Sequence, residues 1–154
     1  MAQDSEPQVA AADDSCVQRV RDSFERQGLM RHLGAELLEV RRGRVCIGLP
    51  FRAELTQQHG YFHAGATSAI ADSAGGYAGL SVFPRDSSVL TVEFKINLLA
   101  PARGERLEAE GRVLRAGRTL TICQLEVYGV TAGQRTLVAA GQQTLICLHD
   151  RPDA

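Results

Sequence analysis

The 154 residues give room for one domain with a real core and too little for two. A formal net charge of -1, with Lys and Arg scattered, leaves no basic footprint for nucleic acid or a membrane surface. Cysteines at 16, 46, 123 and 147 form no CxxC and, with few histidines, no metal-ligand cluster; free thiols in a reducing cytoplasm and no bound metal are expected.

The N-terminus lacks a basic and then apolar leader, and no apolar run reaches the roughly 18 residues of a membrane span, so a cytoplasmic location is expected. From Met1 to Asp14 the chain is mostly Ala, Gln, Asp, Glu and Pro, which reads as a disordered tail ahead of a single domain over residues 15–150. Ser15 then caps a helix with Val17, Val20, Phe24 and Met30 on its apolar side, and Gly28 ends it. Two strands follow, Ala35 to Arg41 and Val45 to Pro50, joined through Arg42-Gly43-Arg44.

The stretch from Gln57 to Leu80 organises the rest. A His/Gly-rich loop leads into a run of small residues whose one carboxylate is Asp72. With a helix starting at Ala64, a 100° step puts Thr67, Ile70, Ala71, Ala74, Tyr77 and Ala78 on one face. Asp72 falls on the other, beside Ser68, Ala69, Gly76 and Ser73. Paired glycines at Gly75 and Gly76 each cost a helix roughly 1 kcal/mol against Ala, which asks for a packing or ligand reason. Asp72 either caps a loop or pairs with an Arg, or it is kept for chemistry. The helix start offers unpaired amides and positive partial charge for an oxyanion. Asp72 lies eight residues beyond Ala64, about 12 Å along the axis. If the two cooperate in one reaction, a second copy of the chain must supply one of them.

After a turn at Phe83 to Asp86, Leu90, Val92, Phe94, Ile96 and Leu98 alternate with polar residues as a half-buried strand. Pro101 to Gly104 breaks it. Leu107 to Val113 forms the next strand, and Arg115 to Arg118 a turn. Thr119 to Val130 and Thr136 to Leu148 supply two more strands around the turn Thr131-Ala132-Gly133-Gln134. One long helix among mostly antiparallel strands predicts an α+β domain with the sheet wrapped over the helix.

Gln57, the His63-Ala64-Gly65 loop six residues later and Asp72 nine residues after His63 resemble the signature of hotdog-fold thioesterases of the phenylacetate-degradation (PaaI-like) type. The resemblance runs from about Leu33 to Leu148. It implies a hotdog fold, an antiparallel sheet around one central helix, with protomers joined as a homodimer or homotetramer. It also implies hydrolysis of an acyl-CoA thioester at a site between subunits, with coenzyme A as part of the substrate and no cofactor. Its roles are the Ala64 amide as oxyanion donor, Asp72 as base or nucleophile, and Gln57 orienting the water or thioester. His63 steadies the carbonyl and Thr91 bonds the water, while Gly65, Ser68 and Gly76 lie against substrate. Ala64 stands where relatives carry the first glycine, and Gln57 where Asn is commoner.

Other readings compete. His59 and His63 are spaced like metal ligands, yet no third ligand is evident and a loop His bonding backbone is the plainer reading. Arg85, Arg103, Arg115 and Arg118 are either coenzyme A phosphate contacts or solvated turn residues. A hotdog hydratase would pair His59 or His63 with Asp72, and a non-catalytic acyl-CoA binder would need neither.

Overall fold

The computed structural model describes residues 13–153, so the tail expected over residues 1–14 lies almost wholly outside the described residues. Helix α1 (Asp14–Arg26) is capped by Asp13, whose carboxylate accepts from the Cys16 amide at 2.7 Å. Ser15, the expected cap, instead donates its hydroxyl to that carboxylate at 2.7 Å. Nor does Gly28 end this helix. Gln27 leaves helical geometry, and Gly28 opens a short helix α2 (Gly28–Leu33) that stops at Gly34, whose φ of 74° supplies the left-handed turn.

Strands β1 (Glu36–Arg41) and β2 (Arg44–Pro50) form the expected hairpin. The long helix α3 runs from Ala64 to Leu80, and then come β3 (Ser88–Leu98), β4 (Arg106–Ala116), β5 (Leu120–Thr131) and β6 (Gln134–Leu148). All pairs are antiparallel in one six-stranded sheet of order β1-β2-β4-β5-β6-β3. This is the α+β hotdog architecture.

α3 lies on one face of the sheet and buries the predicted stripe, Thr67, Ile70, Ala71, Ala74, Tyr77 and Ala78. Small residues let it come close: a Cβ on Gly111 of β4 would strike the backbone of Ala74 and Gly75. α1 crosses the far end of α3. Phe24 meets Tyr77 edge-on with ring centroids 5.9 Å apart, and the Arg19 guanidinium donates to the Phe83 carbonyl at 3.2 Å beyond the α3 terminus.

The alternation over Leu90 to Leu98 is overturned in part. A bulge between Thr91 and Glu93 shifts the phase by one residue. Thr91 therefore turns toward α3. Beyond the bulge Phe94 pairs with the buried Gln143, so Phe94, Ile96 and Leu98 share the helix-side face. Even so, β3 is an edge strand and its apolar residues are uncovered: Leu90, Val92 and Leu98 keep 58%, 57% and 56% of their surface.

Candidate active site

The loop before α3 is held by its own backbone. The Gln57 amide donates to the Tyr61 carbonyl at 2.8 Å, the Gly60 amide returns to the Gln57 carbonyl at 3.0 Å, and Gly60 takes φ 80°. The Gln57 side-chain oxygen accepts from the His59 amide, and its NH2 end has no hydrogen-bond partner among the described residues. His63 is the N-cap of α3: its Nδ1 accepts from the Gly65 amide at 2.8 Å. In the neutral ring the proton therefore sits on Nε2. The Ala64 amide, one residue into the helix, has no hydrogen-bond partner among the described residues.

Along α3 the residues left open are Ala64, Gly65, Ser68, Ala69, Asp72 and Gly76, the face on which the sequence placed the carboxylate. Asp72 is gripped from the sheet. Thr91 Oγ1 donates to its Oδ1 at 2.7 Å, and Nε2 of Gln143 donates to the same Oδ1 at 2.6 Å. That Nε2 also lies 3.1 Å from the Asp72 backbone carbonyl and 3.0 Å from Thr91 Oγ1. Gln143, on β6, was missed by the sequence reading. It is 1% exposed, and its Oε1 is buried without a partner, a loss of about 1–3 kcal/mol for such a group.

Two cavities flank the two ends of β3. One of about 420 Å³ is lined by Asp72, Gly76, Tyr77, Gln27, Leu90 and Thr91, with the Arg26–Asp153 ion pair (3.2 Å) at its rim. Burial pushes the Tyr77 phenol up, against a bond from Ser23, so its hydroxyl stays neutral beside Ser23 Oγ at 3.3 Å. The other, about 390 Å³, is lined by Gln57, Tyr61, Phe62, Ala64, Leu98 and Leu99. Within one protomer Asp72 and Thr91 thus meet in one cavity, and Gln57 and Ala64 in another. His63 and Gly65 line a third hollow against α2, and Ser68 lines none of the three.

No group of three His, Cys, Asp or Glu among the described residues is arranged to hold a metal. Burial pushes the thiols of Cys46 and Cys123 up to about 12, so neither offers a thiolate near neutrality. None of the described helices is long and apolar enough to cross a membrane.

Residues 59–134, from the loop through β5, match the family model described as "Thioesterase superfamily". A solved thioesterase family protein from Silicibacter pomeroyi is 44% identical over 87% of this chain and 98% of its own, with a TM-score of 0.85. A protein of Saccharolobus solfataricus, provisionally named an esterase, is 32% identical over 98 residues, 64% of this chain and 69% of that protein. The 1,4-dihydroxy-2-naphthoyl-CoA hydrolase of Listeria monocytogenes is 22% identical over 104 residues, 68% of this chain and 85% of that enzyme. With this fold and these relatives, the chain belongs to the hotdog-fold thioesterase superfamily and is a thioester hydrolase.

Proposed function

We propose that the protein hydrolyses an acyl-CoA thioester to the free acid and coenzyme A at a site shared by two protomers of a cytoplasmic homodimer or homotetramer. The observation that carries this reading is the separation of the machinery: an acid in a cavity at the start of β3, and a helix-start amide in a second cavity at the end of β3. An exposed apolar edge strand joins the two. Pairing two β3 edges antiparallel about a two-fold axis sets the start of one strand against the end of the other. The Asp72 cavity of one protomer then adjoins the Ala64 cavity of its partner. The same pairing covers Leu90, Val92 and Leu98, whose exposure in a lone protomer is a liability.

In that site the thioester carbonyl oxygen lies against the Ala64 amide, and Gln57 orients the water or thioester through its unengaged NH2. Asp72 acts at the carbonyl carbon by one of two balanced routes. As base it takes a proton from water; the hydroxide adds to carbon, the C–S bond breaks, and the departing thiolate takes the proton. As nucleophile its oxygen displaces the thiolate to give a mixed anhydride, which water then opens. Thr91 spends its proton on Asp72 Oδ1, so it supports the acid, a part different from the water contact implied by resemblance. A hydratase would need His59 or His63 beside the acid. Neither lines the Asp72 cavity or the Gln57–Ala64 cavity that the pairing sets against it.

Thiol release over a panel of acyl-CoAs tests the reading. Wild type is expected to turn over at least one class, and Asp72→Asn to lose about two to four orders of magnitude in kcat with KM little changed. Near wild-type turnover by Asp72→Asn would refute it.

A further inference from the structure

Gln143 has no part in the roles the resemblance implies, yet it touches more of the Asp72 environment than any other side chain described. We propose that Gln143 is a positioning residue for the hydrolysis: it ties Asp72 Oδ1 to the sheet so that Oδ2 is the oxygen presented to substrate. This rests on the thioesterase reading above.

The direction of the amide is fixed by its neighbours. Within 3.1 Å of Nε2 stand three acceptors: the Asp72 carboxylate, the Asp72 backbone carbonyl, and a Thr91 hydroxyl whose one proton already goes to Asp72. Turning the amide over would set Oε1 against a carboxylate. The NH2 end must therefore face Asp72. The opposite end tells the same story. Oε1 is buried with no partner, so a residue held there only to fill space would do better as Met or Leu.

Space for this amide is made by α3. A side chain on Gly75 would collide with Oε1, so the glycine admits Gln143 beneath the helix at the turn that carries Asp72. Both sheet donors reach Oδ1, and Oδ2 has no hydrogen-bond partner among the described residues although Asp72 lines the cavity. A carboxylate free to spin would spend much of its time with the wrong oxygen forward. Anchoring one oxygen removes that freedom before substrate arrives.

The test is a double-mutant cycle on the full-length protein. Gln143→Met is expected to lower kcat at least about tenfold with KM within about twofold, and to cause no further loss in an Asp72→Asn background. Gln143→Glu keeps the shape but sets an acceptor and an added negative charge against Asp72 Oδ1, so it is expected to lose at least as much. A merely structural role would cost the same factor in both backgrounds; that result, or wild-type kcat in Gln143→Met or Gln143→Glu, overturns the proposal. Melting temperatures of the same four proteins read the contact without activity, and additive shifts would also overturn it. A wild type that releases no thiol from any acyl-CoA refutes the hydrolase reading instead, and the melting cycle then still decides whether Gln143 holds Asp72.

Discussion

Oε1 of Gln143 occupies the place that a side chain on Gly75 would need, whereas a side chain on the adjacent Gly76 would meet no atom within 4 Å. The glycine pair in the middle of α3 thus answers two different demands. Gly75 admits the sheet, and Gly76 keeps the wall of the Asp72 cavity low.

Gly75→Ala forces a methyl against Gln143 and within 2.6 Å of Leu125 Cδ2. It is expected to lose about 1–3 kcal/mol of stability, as overpacked cores do, and to disturb Asp72 through Gln143. Gly76→Ala is expected to gain up to about 1 kcal/mol from helix propensity and to raise KM by intruding on the cavity. Urea melts and steady-state kinetics on both variants check this. Equal effects on stability would contradict it.

The apolar stripe of α3 was legible because Thr67, Ile70, Ala71, Ala74, Tyr77 and Ala78 repeat at the helical period, and Asp72 stood out as one charge in an uncharged run. Gln143 was not. It lies in Gln142-Gln143-Thr144, a polar run in which nothing local says which glutamine turns inward. That choice is made by long-range pairing: Gln143 sits opposite the buried Cys123 of β5, in a register reset by a bulge at Val138 of β6 facing Val127 and Tyr128. The β3 bulge between Thr91 and Glu93 is why Thr91, which meets Asp72, shares the helix-side face with Phe94, Ile96 and Leu98. Exposure of Leu90 and Leu98 was equally hidden, since alternation marks a strand with an apolar face and is silent about which body covers it. At the N-terminus Ser15 and Asp13 are both good caps, and the carboxylate, two residues earlier, took the place.

His63 makes the backbone bond that is the plainer expectation for a loop histidine: the Gly65 amide at the start of α3 donates to its Nδ1. His63→Ala is expected to cost about 1 kcal/mol of stability, and His63→Asn or His63→Ser to restore most of it, because a capping acceptor is what the helix needs. Denaturant midpoints decide the matter. Equal loss in all three variants would contradict the capping role.

Glu110 on β4 sits between Arg44 (2.8 Å) and Arg135. Burial works against its charge, but the bonds from Arg135 and Arg44 outweigh it and hold the carboxyl below its usual 4.5. A depressed carboxyl stabilises the fold above its unfolded value and loses that contribution as pH falls through the folded one. Stability is therefore expected to decline below about pH 4.5, and Glu110→Gln to be less stable at pH 7 with a shallower acid decline. Melting temperature against pH shows it, and an unchanged slope in the variant would contradict it.

Intersubunit complementation tests the shared site most directly. Ala64→Pro deletes the amide proton at the first helical position, where proline is tolerated, and His63 already has the extended φ -65°, ψ 140° that a following proline requires. Alone, Ala64→Pro and Asp72→Asn are each expected to be nearly inactive. Refolded together in equal amounts, half the dimers are mixed and each has one intact site, so about a quarter of wild-type activity should return. No recovery from mixed dimers would mean that one chain supplies both groups, contrary to the site described above.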